Sequence, residues 1–391
     1  MNNTLERSLR AVIICGIFII PFIPLVVTSS ILFPFISGKN FTFRILVEIV
    51  TGAWVLLALL NPLYRPKRNL LFWALAAFSV VILTADISGA YFFKSFWSNF
   101  ERMEGFVTII HLVAYTVVAW TTLKPKIWEH LLQTNIFASF IIAIYGFVQL
   151  GGGATIHQGG TRLDASLGNA TYLAIYMLFN IFFALVLLMR HRGMWPKILY
   201  GGSIIINTVI LYHTATRGAL LGLLGGLFLS ALLIALFEKQ KKGLRKIGIG
   251  VVVATICVVG LFFAVKNTAF VTGSPVLSRF SSISLTETTT KSRFMIWNMA
   301  WQGFKERPIL GWGQENFNYV FNTYYNPQMY NQEQWFDRTH NVILDWLIAG
   351  GTLGLLSYLS LFAAALYLLW KKTNLSLGEK SLFTGLFAGY T

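Results

Sequence analysis

Arginine is the residue type whose placement in this chain suggests chemistry. It recurs in polar stretches between apolar runs: Arg102 in "FWSNFERMEGF", Arg162 in "GGTRLDASLGN", Arg217 in "HTATRGALLG", Arg279 and Arg293 in a long polar segment, and Arg338 two residues before His340. A guanidinium presents a fixed fork of donors that matches phosphate geometry and stays charged at any working pH, so a pyrophosphate is the natural ligand for such a set. Arg217 is the most telling. It sits in a connection of only a few residues between two apolar runs, where charge is costly and usually functional. The competing reading has it snorkel to lipid headgroups. Arg293 can equally anchor an interfacial helix, and Arg102, Arg162, Arg279 and Arg338 can be structural or headgroup-facing.

His340 stands with Asn341 where the long polar segment gives way to an apolar run. A neutral imidazole there can accept a proton near neutral pH, which activation of a sugar hydroxyl requires. Alone, such a histidine reads as a polar cap; the arginines around it give it a reason. His157 reads as a loop residue, and His111, His130, His191 and His213 as structural or interfacial. Glu48, Asp86 and Asp345 lie in or at the ends of apolar runs and are expected to form structural pairs with arginines. The sequence has no Walker-type loop, no Cys/His cluster and no histidine pair at helical spacing, so nucleotide hydrolysis and zinc chemistry find no support and no cofactor or metal is expected. Cys15 and Cys257 both lie in apolar runs and read as small buried hydrophobes, not as a disulfide.

These residues must be held by membrane-spanning elements. The chain is 55% hydrophobic and 12% charged, with a mean hydropathy of +0.64, whereas a soluble domain carries about 25% charged residues. A span needs about 20 mostly apolar residues, and such runs cover 9–34, 41–60, 69–87, 105–123, 130–150, 167–189, 197–213, 217–237, 247–265 and 341–370. Another opens at Ser381 and is expected to continue past Thr391. The expected fold is therefore an all-α polytopic membrane protein of about 11 or more spans, divided as helices over 1–266, an extracytoplasmic loop over 267–340 and C-terminal helices over 341–391. The excess of 31 Lys+Arg over 15 Asp+Glu reads as topology signal and not as a nucleic-acid footprint. Alternate connections hold Arg7 and Arg10; Arg65, Lys67 and Arg68; Lys124 and Lys126; Arg190, Arg192 and Lys197; Lys239 to Lys246; and Lys371, Lys372 and Lys380. A cytoplasmic N-terminus satisfies each in turn, which puts 88–104, 151–166, 214–216 and 266–340 outside.

The long outer loop exceeds any simple turn and is a candidate functional insertion. At helical spacing Phe294, Trp297, Trp301 and Phe304 share one face, and Asn298, Gln302 and Lys305 the other, the pattern of a helix lying in the membrane interface. Pro308 with Gly311 and Gly313 is expected to end it, and the amide- and aromatic-rich stretch to Phe336 reads as an irregular lid suited to sugars.

The motifs "SLGNATYLAIYM" (Ser166–Met177), "TATRGALLGLLGG" (Thr214–Gly226), "SRFMIWNMAWQGFKERPILGWGQENF" (Ser292–Phe317) and "THNVILDWLIAGGTLGLL" (Thr339–Leu356) resemble, in order, spacing and sidedness, the O-antigen ligase/polymerase superfamily of bacterial membrane proteins, which includes protein O-oligosaccharyltransferases. The resemblance covers most of residues 95–360. It implies a metal-independent glycosyltransferase with a GT-C-like fold in the inner membrane, active on the periplasmic or extracellular face. The donor would be a glycan on undecaprenyl diphosphate, and the acceptor a hydroxyl on lipid A-core, another glycan or a protein. By this likeness Arg217 and Arg293 hold the diphosphate, His340 activates the acceptor, and Arg102, Arg162, Asn169, Arg338 and Asn341 bind substrate. Ala170 and Thr171 depart from the Pro-Asn of many relatives. The alternative class is a transporter or flippase of lipid-linked glycans, which usually shows repeated halves and a midplane site; no internal repeat is visible, and the polar mass lies in one outer loop.

Overall fold

The computed structural model describes residues 3–158, 160, 162–281, 288–330 and 335–390. Of the loop expected over 267–340, residues 282–287 and 331–334 therefore lie outside the described residues. The helices are α1 (Asn3–Ile19), α2 (Ser37–Leu60), α3 (Leu70–Ser88), α4 (Phe92–Trp97), α5 (Phe106–Thr122), α6 (Pro125–Leu150), α7 (Ala170–Arg190) and α8 (Met194–His213). They continue with α9 (Arg217–Phe237), α10 (Lys242–Val265), α11 (Ala269–Thr272), α12 (Leu277–Ser281), α13 (Thr288–Glu306), α14 (Phe317–Thr323), α15 (Val342–Lys372) and α16 (Leu377–Tyr390). The described residues contain no strand.

Nine of these helices are long and apolar enough to cross a membrane, α1 with its 3-10 extension to Leu25 being the first. One expected span differs: Phe106–Thr122 has 17 residues, fewer than the roughly 20 a span takes. The run expected to open at Ser381 is helical from Leu377 to Tyr390. The first run, expected to reach residue 34, leaves helix at Leu25, where Pro21 and Pro24 occupy the 3-10 turn. Proline removes a backbone donor and crowds the preceding turn, so the α-helix cannot continue.

The chain divides into two compact units. The first comprises residues 1–20, 28–123 and 284–368, the second 21–27, 124–283 and 369–391.

In the second unit α7 is the central element: Leu173, Ala174, Met177, Leu178, Ile181 and Phe182 on it are buried against α6, α8, α9 and α16. Helices α9 and α16 approach through small residues. A Cβ on Gly222 would come within 2.2 Å of Gly389 O, one on Gly226 within 2.5 Å of Gly385 O, and Ser230 Oγ donates to Ser381 O at 3.1 Å. Two antiparallel small-xxx-small stripes thus mate backbone to backbone, the usual device where lipid leaves no hydrophobic drive between helices.

In the first unit the expected span over 341–370 is broken. Gly351 has φ 62 and ψ −159 inside α15, which frees backbone groups on both sides of it. Residues 308–313 supply the partners: Trp312 N and Gly313 N donate to Ile348 O (2.7 Å) and Ala349 O (3.1 Å), while Thr352 N and Leu353 N donate to Pro308 O (2.8 Å) and Ile309 O (3.2 Å). Non-helical backbone at membrane depth is tolerated where protein satisfies it in this way. The approach requires glycine twice, since a Cβ at Gly311 (φ +65) would lie 2.3 Å from Ile348 O and one at Gly351 2.3 Å from Ile309.

The expected irregular lid is instead a packed module. Ile296, Met299 and Ala300 of α13 bury against Trp312, Phe317, Val320, Phe321, Met329 and Phe336. Helix α13 spans Thr288–Glu306. The face used for packing is the Ile296/Met299/Ala300 face, and the expected apolar face leaves Phe294 and Trp301 half exposed.

Candidate functional site

The residues singled out in the sequence divide between the units: Arg102, Arg293, Arg338, His340 and Asn341 belong to the first, Arg162, Asn169 and Arg217 to the second. Backbone strain gathers around them. Among the described residues the non-glycine positions with positive φ are Ser98, Met103, Ala165, Ala215, Glu315 and His340. All six fall in the segments the charge pattern assigns to the outer face. Such conformations cost about 1–3 kcal/mol each and persist only where the surroundings over-determine them, typically at functional sites.

In the second unit two loops meet at the N-termini of α7 and α9. Asn169 caps α7, its Oδ1 accepting from Thr171 N (2.8 Å) and Tyr172 N (3.3 Å), and Gln158 Oε1 accepts from Ala170 N at 3.1 Å. Thr216, directly before α9, donates from Oγ1 to Ala170 O at 3.3 Å. Arg162 reaches the same place: its Nε donates to Thr214 O (3.2 Å) and its Nη2 to Thr216 Oγ1 (3.3 Å). Arg217 is the first residue of α9. Burial, and then the like charge of Arg279, pull the pKa of Arg162 below its ordinary value. The guanidiniums of Arg162 and Arg279 thus approach one another beside the N-termini of α7 and α9, the second of which begins at Arg217, and positive charge at helix N-termini favours a bound anion. The loop carrying Arg162 is locked by a residue the sequence reading missed. Asp164, fully buried, accepts from Gln149 Nε2 (2.7 Å), His157 N (2.7 Å) and Gln158 N (3.1 Å).

In the first unit the arginines are tied to carboxylates. Arg102 grips Asp337 with two bonds, Nε to Oδ2 at 2.7 Å and Nη2 to Oδ1 at 3.1 Å. Arg338 Nη2 meets Glu104 Oε2 at 2.5 Å and also pairs with Glu315. Burial pushes the Glu315 carboxyl up from its usual range, against the pull of Arg338. Burial would lower the Arg338 pKa, but Glu315, Glu104, Asp345 and Asp337 together hold it above its ordinary value. A cavity of about 120 Å³ lies beside this cluster, lined by Gln314, Glu315, Asp337, Arg338, Asp345 and Trp346 among others. Of the span-end carboxylates, Asp345 lies within the field of Arg338 and Glu48 within that of Arg44, while their hydrogen bonds, and that of Asp86, go to other groups. Asp86 accepts from Gln314 N at 2.7 Å, Glu48 contacts His111 Nε2 at 3.2 Å, and Asp345 accepts from Thr339 N at 2.8 Å. The first two tie α3 to the loop before α14 and α2 to α5, bonds between residues far apart in the sequence.

His340 is exposed, in left-handed backbone at φ 54, its ring edge-on to Phe336 with centroids 5.7 Å apart. Asn341 caps α15, accepting from Ile343 N (3.0 Å) and Leu344 N (3.3 Å). Arg293 is exposed on α13, one turn before Trp297 and on the same face, and Trp297 Nε1 donates to Thr339 O at 3.1 Å. The helix that carries Arg293 is therefore bonded to the turn that carries His340. Acidic neighbours visible in "ERMEG", "GQENF" and "DRTH" were the available sign that Arg102 and Arg338 would be paired.

No curated protein matches the chain. Residues 202–359 match the family model described as O-antigen ligase, a stretch that contains Arg217, Arg293, Arg338, His340 and Asn341 and follows Arg102, Arg162 and Asn169. Over that stretch the chain is similar to the O-antigen ligase family, the family its motifs resemble.

Proposed function

We propose that this membrane glycosyltransferase moves a glycan from undecaprenyl diphosphate to an acceptor hydroxyl, without a metal ion, on the outer face of the bacterial inner membrane. The acceptor is lipid A-core, another glycan or a protein. The observation that carries the reading is the approach of Arg162 and Arg279 beside the N-termini of α7 and α9, the second of which begins at Arg217, chemistry suited to a diphosphate. In the reaction the acceptor oxygen bonds to the anomeric carbon as the bond from that carbon to the diphosphate breaks. The electron pair of the broken bond stays on the diphosphate; offsetting that charge is the role the family resemblance gives Arg217 and Arg293, and taking the acceptor proton the role it gives His340.

The test is release of undecaprenyl diphosphate from a lipid-linked glycan by the purified protein, with cell-envelope acceptors present. Release should survive EDTA and fall about 10²–10⁴-fold in His340→Ala, the usual value of a general base. Loss of release with EDTA, restored by Mg²⁺ or Mn²⁺, counts against the arginine-based mechanism. Movement of the intact donor across a vesicle bilayer without release would make the protein a transporter.

A further inference from the structure

The turn that presents His340 is fixed more tightly than helix capping requires. Thr339 is fully buried, and its three polar atoms are all engaged. Its N–H donates to Asp345 Oδ1 at 2.8 Å. Its Oγ1 lies 2.8 Å from the same carboxylate oxygen and 2.9 Å from Asn341 O; the single hydroxyl proton goes preferentially to the charged acceptor. Its carbonyl accepts the indole N–H of Trp297 at 3.1 Å. On the other side of His340, Asn341 N donates to Thr339 Oγ1 at 3.2 Å.

Capping of α15 is already complete through Asn341, whose side chain takes the first-turn N–H groups of Ile343 and Leu344. The bonds from Asp345 and Trp297 satisfy none of those groups. They act on the residue before His340, and they come from two elements: Asp345 from the first turn of α15 and Trp297 from α13. Between these anchors His340 adopts φ 54, a left-handed conformation that costs an L-residue roughly 1–2 kcal/mol and holds only where neighbours impose it. The imidazole itself stays exposed.

We infer that Asp345 and Trp297 are positioning residues: by clamping Thr339 from α15 and α13 they impose the strained turn that aims the His340 imidazole at the acceptor hydroxyl. The inference rests on the base role given to His340 above. Asp345 supplies an oxygen acceptor, not a proton, and Trp297 supplies one N–H that also ties the helix bearing Arg293 to this turn.

The test compares Asp345→Ala, Asp345→Asn and Trp297→Phe in detergent-purified protein, using an undecaprenyl diphosphate-linked glycan as donor and reading kcat, donor KM and melting temperature. Asp345→Ala and Trp297→Phe should each lower kcat about 10–100-fold, the scale of a misplacement of about 1 Å, with donor KM little changed. Asp345→Asn, which keeps the oxygen, should retain most of the rate. In a His340→Ala background the same substitutions should cost nothing further, since their effect passes through the imidazole. Wild-type kcat in folded Trp297→Phe or Asp345→Ala overturns the inference, as does an equal loss with and without His340. If Asp345→Ala fails to fold, Trp297→Phe carries the test, because it removes an N–H and keeps an aromatic ring. A wild-type rate in His340→Ala alone is a different failure: the base role falls, and the positioning role with it.

Discussion

Replacing Arg338 with methionine separates a structural anchor from a ligand-binding residue. The Glu315 side chain is 3% exposed, that of Arg338 31%, and that of Glu104 47%. Removing one partner of a buried pair costs about 3–5 kcal/mol because the other charge is stranded; with Arg338 nearly a third exposed the lower end applies, and the solvated Glu104 arm adds under about 1 kcal/mol. Arg338→Met should therefore destabilise the protein by roughly 3–4 kcal/mol where Glu315 is ionised. The cost is capped by protonation. Burial already holds the Glu315 pKa above its usual value and Arg338 pulls it down, so without Arg338 it rises further. Relative to the variant, wild type has the depressed carboxylate pKa, and the stability this contributes is present at higher pH and lost as pH falls. The gap between the two proteins should thus be small in acid and widen toward neutral and alkaline pH. Thermal unfolding in detergent at about pH 5 and about pH 8, without donor, measures it. Adding Glu315→Gln removes the stranded charge, and coupling between the two sites should return about 2 kcal/mol. An Arg338→Met protein that melts like wild type at both pH values but loses donor affinity would refute the reasoning and make Arg338 a ligand residue.

Arg217→Lys keeps the charge and loses the two-pronged fork, so kcat/KM for the donor should fall by about one to two orders of magnitude, the worth of one or two charged hydrogen bonds; unchanged kinetics would return Arg217 to lipid headgroups. Gly385→Val should separate α16 from α9, because a Cβ there would sit 1.9 Å from Ser230 Oγ and 2.2 Å from Gly226 O; overpacking of about 1–3 kcal/mol or more predicts a lower melting temperature, and an unchanged one would remove the small-residue contact from the fold's support. In a background with Cys15 and Cys257 replaced, Lys305→Cys should react with an impermeant thiol reagent from outside and Lys241→Cys only from inside, and the reverse result would invert the topology and displace the site.

Apolar length is a local property, and the sequence determined by itself what depends on it. The run expected over 217–237 is a helix with those bounds, and those expected over 69–87 and 167–189 differ by one to three residues. The similarity to the O-antigen ligase family over residues 202–359 was legible for a related reason, since Arg217, Arg293 and His340 stand in short contiguous motifs. The break in α15 at Gly351 was not legible, because "IAGG" reads as apolar helix until "PILGWG" arrives to satisfy the freed backbone groups. Nor was the buried face of α13, where the interfacial pattern of aromatics masked Ile296, Met299 and Ala300, whose partners in α14 and beyond come from later in the chain. The pairing of Arg102 with Asp337 joins residues 235 positions apart, and the left-handed turn at His340 is held by Trp297 and Asp345 from two helices. Sequence periodicity encodes which face of a segment is apolar. Which polar group closes on which, across hundreds of residues, is decided only when the packed helices bring backbone and side chains within hydrogen-bonding distance.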